Sequence, residues 1–475
     1  LSAPAPLADL VGPVIRDLAR RSGKDLTRWL DQVARLGGCA EPVRLSGETA
    51  TIDAGTGQIL DHYSTIGEPH GQLLVRCGNR RASRCPSCAE TYRRDTYHLI
   101  RAGLLGGSKD VPATVRTHPR VLATLTAPSF GPVHRGPDKS GKPVTCRPRR
   151  TGPACWKNHA PGDPAIGQPL DPASYDYIGH VLWNAHAGDL WRRFTIYLRR
   201  HLATATGLTH AAFNRCARVS FAKVAEYQAR GVVHFHAVIR IDGRTDDPAD
   251  VIPPPPWATV ELLTDAIHTA ARASTLDAPH LGQETTELVW GEQIDVKPID
   301  LGELDDQAGE LNEQKVAGYI AKYATKAAES SGTLDRRIRP CDLPRLEKLD
   351  VTDHAARLIR TAWNLGDLDV HPRLLPLKLR KWAHMLGFRG HFSTKSRAYS
   401  TTLGRLRQAR IDYRTNRRTG PHSDETTLVV AHWRYAGQGY TAGESVLATG
   451  LSGSRNVSAH EGKEASNVHP RDDFQ

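Results

Sequence analysis

"GVVHFHAVIR", Gly231 to Arg240, is the stretch on which the fold turns. Val233, Phe235, Ala237 and Ile239 recur with period two, the spacing of a strand with one buried face. The opposite face carries His234 and His236. The run before it, "ARVSFAKVAEYQ" (Ala217 to Gln228), also reads as a strand. The two are joined by "ARG" (Ala229 to Gly231), whose glycine suits the left-handed position of a three-residue hairpin loop. In that register Gln228 faces Val232 and Glu226 faces His234. Glu226, His234 and His236 then share one face. Two imidazoles and a carboxylate leave coordination positions open on an ion. The mixed donor set suits Mn²⁺ or Mg²⁺, and zinc also fits it. Such an ion would act as a Lewis acid on a phosphodiester. The plain alternative is a pair of hydrogen-bonded structural histidines, and a slip of one residue would remove Glu226 from the group.

"GYIAKYATK", Gly318 to Lys326, lies in a helical run, "NEQKVAGYIAKYATKAA" (Asn312 to Ala328). Tyr-x-x-Lys occurs there twice, as Tyr319/Lys322 and Tyr323/Lys326. A spacing of four places both tyrosines on nearly one helix face, about 6 Å apart. A phenol with a pKa of about 10 is a poor nucleophile at neutral pH. A nearby lysine ammonium favours the phenolate, which makes tyrosine attack on phosphorus chemically reasonable. An amphipathic helix with aromatic core residues is the bland reading of the same pattern.

The 475 residues leave room for about three domains. The formal charge of +12 and the clusters "CRPRR" (Cys146 to Arg150) and "RTNRRTG" (Arg414 to Gly420) suit a polyanionic partner, most simply nucleic acid. No apolar run reaches the roughly 18 residues of a membrane span. The opening residues lack the basic start and apolar block of a secretion signal. Both observations point to the cytoplasm, where disulfides are not expected.

The eight cysteines are then better read as metal ligands or buried thiols. Cys77, Cys85 and Cys88 combine a C-x2-C pair with one upstream cysteine, a zinc signal. Cys39 is the expected fourth ligand, with His98 in reserve. Cys146, Cys155 and His159 make a possible second zinc site, with His134 as a further ligand. Cys216 and Cys341 stand alone and read as structural.

Along the chain, residues 1–38 read as helical and end in Gly37-Gly38. Residues 39–110 form a zinc-binding module. "PRVLATLTAP" (Pro119 to Pro128) reads as a strand, and residues 131–172 as a long Pro/Gly-rich insertion. Helices are expected over 173–206 and 257–276, and one further strand in "ELVWGEQIDVKPI" (Glu287 to Ile299). Residues 346–440 read as a helical, DNA-binding region, and 441–475 as disordered.

Three motifs occur in an order that resembles the HUH endonucleases, named for two histidines flanking one bulky apolar residue. The closer likeness is to rolling-circle replication initiators of actinobacterial plasmids and integrative elements. "LATLTAP" (Leu122 to Pro128), "HFH" (His234 to His236) and "GYIAKYATK" resemble that family's three motifs, the last in its two-tyrosine form. "VRCGNRRASRCPSCAETYRRDTYHLIRAGL" (Val75 to Leu104) and "HMLGFRGHFSTKSRAYSTT" (His384 to Thr402) extend the likeness over roughly residues 39–402. The resemblance implies an α+β fold over residues 111–345, a central antiparallel sheet of about five strands with flanking helices. It implies nicking of one strand of single-stranded or hairpin origin DNA through a 5′-phosphotyrosine, with Mg²⁺ or Mn²⁺ at the histidines. Tyr323 would attack first and Tyr319 serve the second transfer. Zinc would be structural, and Arg80, Arg81 and Arg84 would lie near phosphates. A host helicase and DNA polymerase would follow. A two-tyrosine HUH transposase shares this chemistry. A zinc-dependent DNA-binding regulator would keep the fold without the reaction. A conjugative relaxase fits less well, since it usually carries three histidines and an N-terminal tyrosine.

Overall fold

The computed structural model describes residues 12, 24–107, 111–138, 140–147, 152–247, 250–299, 313–324, 332–349, 351–419 and 427–449. In chain order the longer elements are α1 (Lys24–Leu36), β1 (Val43–Asp53), β2 (Ile59–Ser64), β3 (Leu73–Val75), α2 (Pro86–Leu105) and β4 (Arg120–Leu125). There follow α3 (Tyr177–Ala205), α4 (His210–Cys216), β5 (Ala217–Tyr227), β6 (Val233–Gly243), α5 (Val260–Ala273), β7 (Thr275–Pro279), β8 (Thr285–Val289) and β9 (Ile294–Pro298). The last are α6 (Glu313–Ala324), α7 (Asp353–Leu365), β10 (Ser393–Lys395), α8 (Leu403–Thr419) and β11 (Thr427–Gln438). The architecture is α+β with antiparallel sheets, as expected. No described helix is long and apolar enough to cross a membrane.

The chain divides into two compact units, Arg94–Leu406 and a second made of Leu1–Arg93 with Arg407–Gln475. The larger unit is built on a five-stranded sheet in the order β10-β5-β6-β4-β9, so β6 is the central strand. Gln228 N–H donates to the Val232 carbonyl at 2.9 Å, and Gly231 has φ 82°. Only glycine adopts that angle at low cost, so the turn sets the register and Glu226 pairs with His234. On the other face, Val233, Phe235, Ala237 and Ile239 are all buried, together with Val121, Ala123 and Leu125 of β4. The helices α3 and α5 contribute to this core. Burying a side chain such as Phe235 stabilises the fold by roughly 1.5–3 kcal/mol. Asp176 caps α3 by accepting from Gly179 N, and Thr259 caps α5 by accepting from Leu262 N.

"ELVWGEQIDVKPI" forms two strands where one was expected. Gly291 lies between the two strands, where its N–H donates to the Thr126 carbonyl at 2.8 Å and a Cβ would meet the Ala127 carbonyl oxygen at 2.5 Å. β8 pairs with β7 in a separate ribbon, and β9 joins the main sheet beside β4.

In the smaller unit, β1 pairs with β11 along its whole length and with β2 and β3 on its other side. Residues 43–75, from the 39–110 stretch, and residues 427–438, from the end of the 346–440 stretch, share one sheet, while residues 94–110 and 346–406 belong to the larger unit. Residues 442–449 are helical where disorder was expected, with Ala448 buried against Trp29 and Val33. Residues 450–475 of that tail lie outside the described residues.

Candidate metal and tyrosine site

β5 and β6 bring three donor atoms together on the face away from the core. Glu226 Oε2 lies 3.0 Å from His234 Nε2 and 3.1 Å from His236 Nε2. Both rings are largely buried, His236 at 2% exposure. An octahedral ion with bonds of about 2.1 Å has neighbouring ligands about 3.0 Å apart. Both spacings from Glu226 match that distance, and all three atoms lie within 4.8 Å of one another. Thr124 of β4 sits opposite His236, with its Oγ1 3.0 Å from Nδ1. That contact turns Nε2 toward the other donors, the usual task of a residue behind a metal-binding histidine.

The tip of the hairpin is held from below. The buried Asn184 of α3 donates to the Gly231 and Leu386 carbonyls and accepts from Val233 N, at 2.9–3.0 Å. His180 Nε2 also lies 3.0 Å from the Gly231 carbonyl. Arg230 donates to the carbonyls of Pro128 and Ala127.

The helix α6 packs against β5 and delivers both tyrosines to His236. Tyr319 Oη is 3.4 Å from His236 Nε2, and the Tyr323 ring stacks on the imidazole with centroids 5.1 Å apart. The phenol rings lie 4.5 Å from one another, closer than their helical spacing alone requires. Lys322 Nζ is 5.9 Å from the centre of the Tyr323 ring. Burial first, then Tyr323, Glu226 and Asp295, push the Tyr319 phenol up. Lys326 lies outside the described residues.

In the smaller unit, the sulfurs of Cys39, Cys77, Cys85 and Cys88 all fall within 4.8 Å of one another, and none is in a disulfide. Cys39 and Cys85 Sγ are 3.9 Å apart, near the edge of about 3.8 Å expected for two thiolates on a tetrahedral zinc. Backbone N–H groups of Ala40, Cys77 and Asn79 point at Cys85, Cys39 and Cys77 sulfurs. Burial raises the Cys39 and Cys77 thiols. At Cys88 burial opposes ionisation, but Arg76, Cys85, the Gly78 backbone and Cys77 outweigh it and bring the thiol down to about 7. The donor set fits zinc. His98 is not part of the cluster. Arg80, Arg81 and Arg84 flank it half-buried, and Arg84 pairs with Glu41 at 3.5 Å.

His134, Cys146, Cys155 and His159 also converge. Cys216 lies against the Phe213 carbonyl, and Cys341 is exposed. Sequence reading missed the parts played by Thr124 and Asn184. It also missed Asp295, which pairs with Thr124 on β9 and so shares the site face. Strand order, rather than any local signal, aligns Asp295 and Thr124 with His236.

The family model described as "Replication initiator protein, pSAM2" matches residues 25–453. A replication initiator protein from Streptomyces ambofaciens is 51% identical over 459 residues, covering 94% of this chain and 95% of the relative. No solved structure matches. These likenesses span both units described above, and the chain belongs to the RepSA family of replication initiator proteins.

Proposed function

We propose that the protein starts replication of a plasmid or integrative element by nicking one strand of origin DNA, in the manner of an HUH endonuclease. The observation that carries this reading is the position of two phenols directly over His236, beside a carboxylate and a second imidazole spaced as ligands. Glu226, His234 and His236 would hold Mg²⁺ or Mn²⁺. A divalent cation bound there would draw charge from a phosphodiester oxygen and so lower the barrier to attack.

In the proposed reaction Tyr323 Oη forms a bond to phosphorus and the bond to the 3′ oxygen breaks. The phenol proton is lost to solvent and the leaving oxygen takes one up, giving a 5′-phosphotyrosine and a free 3′-hydroxyl. A host helicase and polymerase would then extend that end. Lys322 beside Tyr323, and Glu226 and Asp295 around Tyr319, support Tyr323 as the first nucleophile, since a developing phenolate prefers the cation. Tyr319 would carry out the second transfer. The four-cysteine cluster would bind zinc as a structural ion, with Arg80, Arg81 and Arg84 near DNA phosphates.

The test is incubation with single-stranded origin DNA and Mn²⁺, followed by denaturing electrophoresis and mapping of any adducted peptide. A covalent adduct on the peptide containing Tyr323 is expected. Origin binding with no adduct at any metal concentration would instead favour a zinc-dependent regulator.

A further inference from the structure

We propose that His134, Cys146, Cys155 and His159 hold a zinc ion that clamps the 131–172 segment into a basic knuckle presenting Trp156 to an unpaired DNA base. Backbone hydrogen bonds such as His134 N to Gln168 O and Cys146 N to Lys157 O shape the described part of the segment, but it buries little apolar surface. Among its described residues only Cys146, His159, Gly167 and Pro169 are buried, so no aliphatic or aromatic cluster forms a core of its own. Short segments without a core are commonly stabilised by metal or disulfides.

The donor geometry fits one ion. His134 Nδ1 is 3.2 Å from His159 Nε2. Cys146 Sγ is 3.6 Å from His134 Nδ1, and Cys155 Sγ is 3.6 Å from His159 Nε2. A tetrahedral zinc with bonds of about 2.0–2.1 Å to nitrogen and 2.3 Å to sulfur has edges of about 3.4 Å (N to N) and 3.6 Å (N to S). The four donors lie within 4.8 Å of one another, and both thiols are free. Asp163 Oδ2 lies 2.7 Å from His159 Nδ1, while its Oδ1 accepts from Ala165 N, which leaves Nε2 directed into the cluster.

The backbone around these ligands aims one large side chain outward. The Cys146 carbonyl accepts from both Cys155 N and Trp156 N, and Cys146 N donates to the Lys157 carbonyl. Trp156 is held at φ 62°, an angle that bulky residues avoid, and is 63% exposed. The Arg147 guanidinium stacks 5.0 Å from the ring centre. Residues 131–172 contain seven lysines and arginines against three aspartates. An exposed aromatic in a basic setting is the usual platform for single-stranded nucleic acid. The base of the segment is pinned to the β5–β6 turn, where a Cβ on Gly167 would meet Ala229 at 2.5 Å. The choice of DNA rests on the function proposed above; the zinc count does not.

The experiment uses the full chain, dialysed free of loose metal, with zinc per chain read by mass spectrometry. Cys155→Ser should lose one equivalent relative to wild type, and Cys88→Ser a different one. Cys155→His keeps a ligand and should retain the zinc, which separates ligation from general misfolding. Wild-type zinc content in Cys155→Ser would overturn the clamp. Trp156→Ala should keep its zinc yet bind a fluorescent oligo(dT) about tenfold more weakly, in line with the loss of one stacked base. Unchanged affinity for oligo(dT) would remove the DNA role. A wild-type protein that fails to nick while this affinity difference is present would count against the proposed reaction alone.

Discussion

Thr124 and His236 face each other across neighbouring strands, with the hydroxyl oxygen 3.0 Å from Nδ1. Thr124 is a positioning residue, since it reaches the donor group only through the imidazole. Thr124→Val keeps the shape and removes the hydrogen bond. The Mn²⁺ concentration for half-maximal adduct formation should rise about 10–100-fold. The rate at saturating Mn²⁺ should stay close to wild type, and Thr124→Ser should restore the metal requirement. A slow variant with an unchanged metal requirement would show that the hydroxyl acts elsewhere.

Asn184 ties α3 to the first residues of β6 through three hydrogen bonds. In Asn184→Ala the Gly231 carbonyl keeps His180, but the Val233 N–H and the Leu386 carbonyl each lose the Asn184 contact. Stranding buried polar groups in this way costs roughly 2–4 kcal/mol. Urea titration should show that loss, and hydrogen exchange should accelerate at the Val233 amide. Equal exchange in the two proteins would mean that the turn holds β6 without the helix.

The contrast between these residues and the histidines explains what could be read in advance. Glu226, His234 and His236 are tied by one glycine turn and strict alternation, so their meeting is a local property of the chain. Tyr319 and Tyr323 are tied by helical period. The C-x2-C pair marks the cysteine cluster by spacing alone. Nothing local states that β1 pairs with β11, whose partners stand 381 residues apart at the Thr49 to Val430 contact. A unit assembled from both ends of the chain is invisible to a reading that cuts the sequence into consecutive domains. Thr124 and Asp295 were missed for the same reason, since strand order that departs from chain order sets their alignment with His236.

The tyrosines should separate by step. Tyr323→Phe should bring the first covalent adduct down to background while origin binding is retained. Tyr319→Phe should still form that adduct but fail to join the displaced strand into a circle. Gel analysis of both products distinguishes the two steps. If Tyr319→Phe alone removes the first adduct, the order of attack is reversed and the placement of Lys322 does not select the nucleophile.

Lys223 lies on the core face of β5, its Nζ 3.9 Å from the centre of the Phe235 ring and 5.2 Å from that of Trp191. Burial lowers its ammonium pKa from the ordinary 10.5 to about 7. Between those values the unfolded chain carries a proton that the folded chain has given up. Stability contributed through this group therefore rises with pH across that window, by at most about 1.4 kcal/mol per unit, and is flat below and above it. Lys223→Met removes the penalty while keeping the stem. The variant should be more stable than wild type by on the order of 4 kcal/mol at pH 7, with the difference shrinking toward zero near pH 10.5. Paired denaturant titrations at several pH values measure this difference with the other titrating groups in common. A difference that does not change with pH would mean that the lysine keeps its proton in the fold, held by the faces of the two rings.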